Sequence, residues 1–303
     1  MNKIYPVDLE IILGFSLPDH VYTMLENFNL EYEDLSKEET DQVIIKILKT
    51  LDQPPVAAGE HRSDQWDDGW RENLENYKQS HIAADLIPKY HGKYNVYRWN
   101  GRFIKSKIPQ FDYKIHICFV DAILNYYLKK CENIYEFGCG PAYHLLRFNE
   151  RNPKTKLCGC DWAPSSQNII KELNRPNLIG QNFNFYEPFL NEPNYKFERH
   201  TGIYTVAALE QVGDKFKKFV DYLIYTKPDV CVHMEPVDEL LNPNNLLDYL
   251  SIQYFRKRNY LNKFLPYLES LEKEGKIQII EQTRIFSGSL CIEGHSLIVW
   301  KVK

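Results

Sequence analysis

Tyr135-Glu136-Phe137-Gly138-Cys139-Gly140-Pro141-Ala142 runs a short apolar strand into a turn with two glycines, and a helix is expected from about Tyr143. Glycines at such a turn let the backbone approach a ligand closely and adopt angles that other residues resist. A dinucleotide-binding turn would carry a third glycine at position 143, which is Tyr, and a P-loop would need a Gly-Lys-Ser/Thr sequence, which is absent. Both absences count against a pyrophosphate ligand. Glu136, two residues before the first glycine, fits a cationic amino-acid ligand better than a phosphate. Taken alone the two glycines are also what a purely structural turn would use.

Downstream of this stretch the chain alternates strand and helix patterns. Thr155–Asp161, residues 177–182, 201–209, 228–235, and two closing stretches from 276 to 302 read as strands. Helices are expected after Pro164, over 214–226 and through 238–274. Repeated β-α units imply a mostly parallel sheet with helices on both faces. In such sheets ligands bind beyond the carboxyl ends of the strands, where strand order reverses. The second strand ends at Asp161, 21 residues after Gly140. A carboxylate there can take both hydroxyls of an adenosine ribose, and Trp162 can pack on the base; a helix N-cap is the alternative use of Asp161. Asn182 and Phe183 end the third strand and are candidates for the adenine. The fourth ends in Ala207-Ala208-Leu209-Glu210, and the fifth in His233-Met234-Glu235-Pro236.

As a set, EFGCG, CGCD with Asp161, QNF around Asn182, TVAALEQV and KPDVCVHMEP resemble the class I S-adenosylmethionine-dependent methyltransferases. The resemblance covers about 133–303. Pro141-Ala142 stands where a third glycine is common, and Asn182 where aspartate is frequent. The resemblance implies an α/β, Rossmann-like methyltransferase fold: a mostly parallel seven-stranded sheet with an antiparallel C-terminal strand, preceded by a largely helical N-terminal region. It implies S-adenosylmethionine as cofactor, with Glu136, Gly138, Cys139, Gly140, Asp161, Trp162, Asn182, Phe183, Ala207 and Glu210 at the donor site and Arg98 reaching it from the N-terminal half. The expected division is 1–112, an acceptor-capping region, and 113–303, the donor-binding domain.

Methyl transfer to an oxygen needs a base near the acceptor's proton. His144, one turn into the first helix, His233 and Glu235 on one face of the fifth strand, and Glu210 are the candidates. The expected acceptor is a small molecule, a sugar or nucleotide-sugar hydroxyl foremost, with a small amine as the alternative. A nicotinamide-linked oxidoreductase and a non-catalytic binding protein of the same fold are the competing readings.

The N-terminal half carries no motif of a general class. Ser36 and Glu39 make a capping box before a helix whose apolar face is Leu35, Val43, Ile44, Ile47 and Leu48, ended by Pro54-Pro55. Asn100-Gly101 predicts a hairpin turn within 94–104. Trp66, Gly69, Trp70, Tyr97, Arg98 and Trp99 can cap the donor or wall the acceptor, with tryptophans that anchor helices in a core as the alternative, and Arg256-Lys257-Arg258 is a basic run that is either a solvated helix face or faces a phosphate. The net charge of −4 disfavours a nucleic-acid partner. Seven scattered cysteines without a CxxC pair argue against a disulfide framework and a zinc site, so no metal is expected. The N-terminus lacks a signal-peptide pattern, and no stretch approaches the roughly 18 apolar residues of a membrane span. A cytoplasmic protein without a membrane partner is expected.

Overall fold

The structure is a computed structural model, and residues 1–190 and 196–303 are described. The N-terminal part runs β1 (Asn2–Lys3), α1 (Pro6–Leu13), α2 (Asp19–Phe28), β2 (Glu31–Asp34), α3 (Lys37–Asp52), α4 (Ser63–Ser80), β3 (Val96–Trp99), β4 (Arg102–Lys105) and α5 (Phe111–Leu128). There follow β5 (Asn133–Phe137), α6 (Tyr143–Arg151), β6 (Lys156–Asp161), α7 (Pro164–Leu173), β7 (Leu178–Asn182) and β8 (Thr201–Val206). The chain closes with α8 (Lys217–Thr226), β9 (Val230–Glu235), α9 (Leu246–Arg258), α10 (Phe264–Lys273), β10 (Ile277–Arg284), β11 (Ser287–Gly288) and β12 (Ser296–Val302).

The large sheet has the order β10-β12-β9-β8-β5-β6-β7. Strands β5 to β9 are mutually parallel, and β12 lies antiparallel between β9 and β10. Every residue of β8 is buried, as a central strand covered on both faces requires. From β5 the chain builds outward through β6 and β7, then returns to place β8 and β9 on the other side. The order therefore reverses between β5 and β8, and the loops leaving these two strands part there to make a crevice. This is the expected Rossmann-like methyltransferase fold, antiparallel edge pair included.

The N-terminal part is largely helical, as expected, through α1 to α4, with one addition that the expectation lacked. It carries a second, antiparallel sheet, β1-β2-β4-β3-β11, whose strands of two to four residues are too short to show a period-two pattern. Asn100 and Gly101 turn the β3-β4 hairpin with φ of 48° and 74°, as a type I′ turn demands. The capping box forms: Ser36 Oγ accepts from Glu39 N at 3.2 Å, and Glu39 Oε2 from Ser36 N at 2.8 Å. Of the face expected on α3, Ile47 is buried together with Leu51, against Phe103 and Leu250, while Leu48 is exposed. The helix expected through 238–274 is two, α9 and α10, because Asn259 and Lys263 both take left-handed angles between them.

One hydrophobic core joins the two parts. It packs Ile4, Leu9, Val21 and Leu74 with Leu145, Val232 and Leu297 through α5, most of whose residues are buried. The expected division at 112/113 falls in the first turn of α5, and β11 crosses it to pair with β3. No helix among the described residues is long and apolar enough to cross a membrane.

Candidate active site

The turn after β5 is held by β6: the amides of Gly138 and Cys139 both donate to Cys160 O, at 2.7 and 3.2 Å. Gly138 has φ of 76°, and a Cβ there would lie 2.3 Å from Ala208 Cβ, so only glycine lets the turn close against the end of β8. A Cβ on Gly140 would lie 3.0 Å from the Trp70 ring, which brings α4 directly over the turn.

Asp161 is buried at the tip of β6. Its Oδ2 accepts from Gly140 N at 2.8 Å and its Oδ1 from Ala163 N at 2.9 Å. Burial pushes its carboxyl up to about 6, against the pull of those two bonds. The N-cap of α7 is Ala163, so Asp161 ties the glycine turn to the start of α7 rather than capping the helix.

Two adjoining cavities open at the crevice. The smaller, about 60 Å³, is bordered by Asp161, Trp162, Phe183 and Phe185. The larger, about 390 Å³, is bordered by Glu136, Cys139, Gly140, His144, Glu210 and Arg98 among others. Trp66, Trp70, Gly138, Ala207 and Gln211 border both, so the passage between them runs under the tryptophans of α4. Those two rings stack with centroids 5.5 Å apart. Asp67 fixes the helix there by accepting from Ser165 N at 2.8 Å, at the first turn of α7.

Within the larger cavity Glu136 is a fixed carboxylate. Its Oε1 lies 2.9 Å from His144 Nδ1, and its Oε2 accepts from Tyr204 Oη at 3.0 Å. Because a carboxylate only accepts, His144 carries its proton on Nδ1, leaving the lone pair on Nε2. Three further histidines border this cavity: His91, His116 and His295, with the His116 ring 5.6 to 5.8 Å from those of His91, His144 and His295. Burial holds His116 well below the usual imidazole range and His295 down to about 4, so both are neutral at pH 7. Among the described residues no group of three or more side chains is placed to hold a metal ion.

Four expected site residues stand elsewhere or are otherwise engaged. Asn182 is exposed and borders neither cavity; its Nδ2 donates to Trp162 O at 3.1 Å, and the buried ring next to it, Phe183, lines the pocket instead. Glu235 is fully buried beneath the turn after β8, where it accepts from the amides of Ala208, Leu209 and Glu210 at 3.1 Å each. It shapes that turn and borders neither cavity, so the expectation of an acid or base there is corrected. His233 is likewise enclosed, its Nδ1 3.0 Å from Thr205 Oγ1 and its ring against Trp300 and Phe264; burial lowers it to about 3. Arg98 borders the larger cavity, but its guanidinium is spent on Glu293 at 3.0 Å, Ser251 Oγ and the carbonyls of Leu247 and Leu290. Glu210 does reach the cavity. Burial and the nearby Glu235 push its carboxyl up to about 8, so it holds a proton at neutral pH and is a donor, not a base. The residues that the sequence reading missed, His91, His116, His295, Tyr90 and Tyr260, come from separate segments with no local spacing to betray them.

Strand order, switch point and antiparallel edge pair together define the fold of the class I methyltransferases. No protein-family model matches the chain, and no curated protein matches it. Among solved structures, a SAM-dependent methyltransferase from Aquifex aeolicus is 12% identical, over 59% of this chain and 86% of its own, with a TM-score of 0.40. The N-methyltransferase NodS from Bradyrhizobium japonicum, solved with S-adenosyl-L-homocysteine, is 13% identical over 60% and 85%, at 0.43. A pericyclic reaction enzyme is 12% identical over 61% of this chain and 47% of its own, also at 0.43. The fold rests on this chain's own strand order, not on these likenesses.

Proposed function

We propose that this protein is a methyltransferase that takes its methyl group from S-adenosylmethionine and places it on a hydroxyl of a small molecule. The observation that carries the reading is the meeting, at the switch point, of the glycine turn, Asp161 and the Trp162–Phe183 pocket, opening directly onto a second, larger cavity. The residues fit an adenosine. Each Asp161 oxygen is engaged by one backbone amide, which leaves each a lone-pair site for one of two neighbouring ribose hydroxyls. The pocket beside it is walled by flat rings, as a base requires. Bound there, the cofactor would present an electrophilic methyl on a sulfonium.

The protein's part is to position and to move one proton. The cavity holds the acceptor out of water, and such positioning can contribute several kcal/mol. His144 Nε2 takes the acceptor's hydroxyl proton, while Glu136 fixes the tautomer and stabilises the imidazolium formed. Aromatic walls suit an acceptor with flat apolar faces; a sugar is one such, and the cavity's size suits a compact one. The test is an acceptor screen with labelled cofactor, followed by His144→Ala on the first substrate found. Turnover should fall about a hundredfold or more while S-adenosylhomocysteine affinity stays within about threefold. Undiminished turnover would remove the base and point to an amine acceptor that needs none.

A further inference from the structure

Arg258, the last residue of α9, borders the larger cavity. Its Nε is buried without a hydrogen-bond partner, and no carboxylate forms an ion pair with it among the described residues. Its guanidinium carbon lies 5.3 Å from the Tyr260 ring centroid. The other two members of the basic run turn away: Arg256 is exposed and lies 4.0 Å from Asp238, and Lys257 binds Leu51 O. A second guanidinium stands near. Arg62 is buried, donates to Gln65 and Gln211, both neutral, and is destabilised by the charge of Arg258. The carboxyl that acts on both is Glu210, which is protonated at neutral pH. Arg258 therefore borders the cavity with its Nε unpaired and without an ion pair among the described residues, and the neighbouring Arg62 supplies no counter-charge. A charge left unpaired away from water is costly unless a ligand completes the pair.

We propose that Arg258 anchors an oxyanion, a carboxylate or a phosphate, on the acceptor. The proposal rests on the methyltransferase reading above and narrows its acceptor to an acidic small molecule. A guanidinium suits either anion because its forked N–H groups match two oxygens at once.

The test titrates the protein, saturated with S-adenosylhomocysteine, with benzoate, inorganic phosphate and the neutral benzamide. Tighter binding of either anion than of benzamide is expected, and which anion wins tells carboxylate from phosphate. Arg258→Gln should weaken that anion at least tenfold, whereas the exposed neighbour Arg256→Gln, with the same loss of charge, should leave it unchanged. Arg258→Lys, which keeps the charge without the fork, should fall between and shows that the position tolerates change. Equal binding of benzamide and both anions would overturn the proposal, as would equal losses in the two glutamine variants. A tenfold loss of S-adenosylhomocysteine affinity in Arg258→Gln would also overturn it, because the guanidinium would then hold the donor's own carboxylate. If wild-type protein does not bind S-adenosylhomocysteine, the donor reading fails. The anion titration without it then decides Arg258 alone.

Discussion

Asp161 ties the glycine turn to the start of α7 and, in the function proposed above, holds the ribose, and one substitution tests both roles. Asp161→Ala frees the buried amides of Gly140 and Ala163, which should cost about 1–3 kcal/mol of stability for each left unpaired, and should weaken S-adenosylhomocysteine at least tenfold. Calorimetric titration alongside a melting curve reads both; near-normal affinity would sink the ribose assignment. Glu210 and Glu235 make a pH prediction. Both folded-state values are raised, to about 8 and about 7, so the folded protein holds protons that the unfolded chain, near 4.5, has released. That stability is fully present below about 4.5 and is lost as pH rises through 7 and 8, by at most about 1.4 kcal/mol per pH unit for each group. Melting temperature should fall from pH 5 to pH 8, and Glu210→Gln should flatten the slope; an unchanged slope would show that Glu210 is ionised throughout. Glu235 also marks where residue-level reading ends. Its place at a strand tip is visible in the sequence, but whether the carboxylate faces the crevice or the turn below it depends on three amides of a neighbouring loop.

At the scale of elements, α4 lies over the glycine turn and borders both cavities. It is held over the crevice by Asp67 on the first turn of α7, where a carboxylate also meets the positive end of the helix. Asp67→Ala should speed amide exchange along α4 and weaken S-adenosylhomocysteine several-fold, with the sheet's exchange unchanged; if affinity and exchange both stay put, α4 is not the roof it is drawn as. Elements with local chemistry were legible in advance. Ser36 and Glu39 announce α3, Asn100-Gly101 announces the β3-β4 turn, and the glycines at 138 and 140 announce the switch point. The short strands β1, β2 and β11 were not, since two to four residues show no period and their pairing is decided by contacts across the chain. The break between α9 and α10 was equally silent, because Lys263 is not a residue type that signals a left-handed turn.

Across the whole molecule, the N-terminal part and the large sheet share a core, and β11, from the C-terminal half, completes the small sheet by pairing with β3. The buried Arg98–Glu293 pair joins β3 to the segment before β12 at 3.0 Å. Arg98→Ala leaves Glu293 buried without that partner and should cost roughly 3–5 kcal/mol. Unfolding by denaturant should stay a single transition for wild type; a separate melting of the N-terminal part would show two independent bodies. This scale also explains why the fold was more legible than the site. Strand-helix alternation repeats along the chain and reveals the sheet, whereas the cavity collects Trp66, His116, His144, Arg258 and His295 from segments that meet only when folded. The most direct test of the account is calorimetric titration of the purified protein with S-adenosylhomocysteine, with NAD as control. The account predicts one site of micromolar affinity for the first and none for the second. Binding of NAD, or of neither compound, would contradict it.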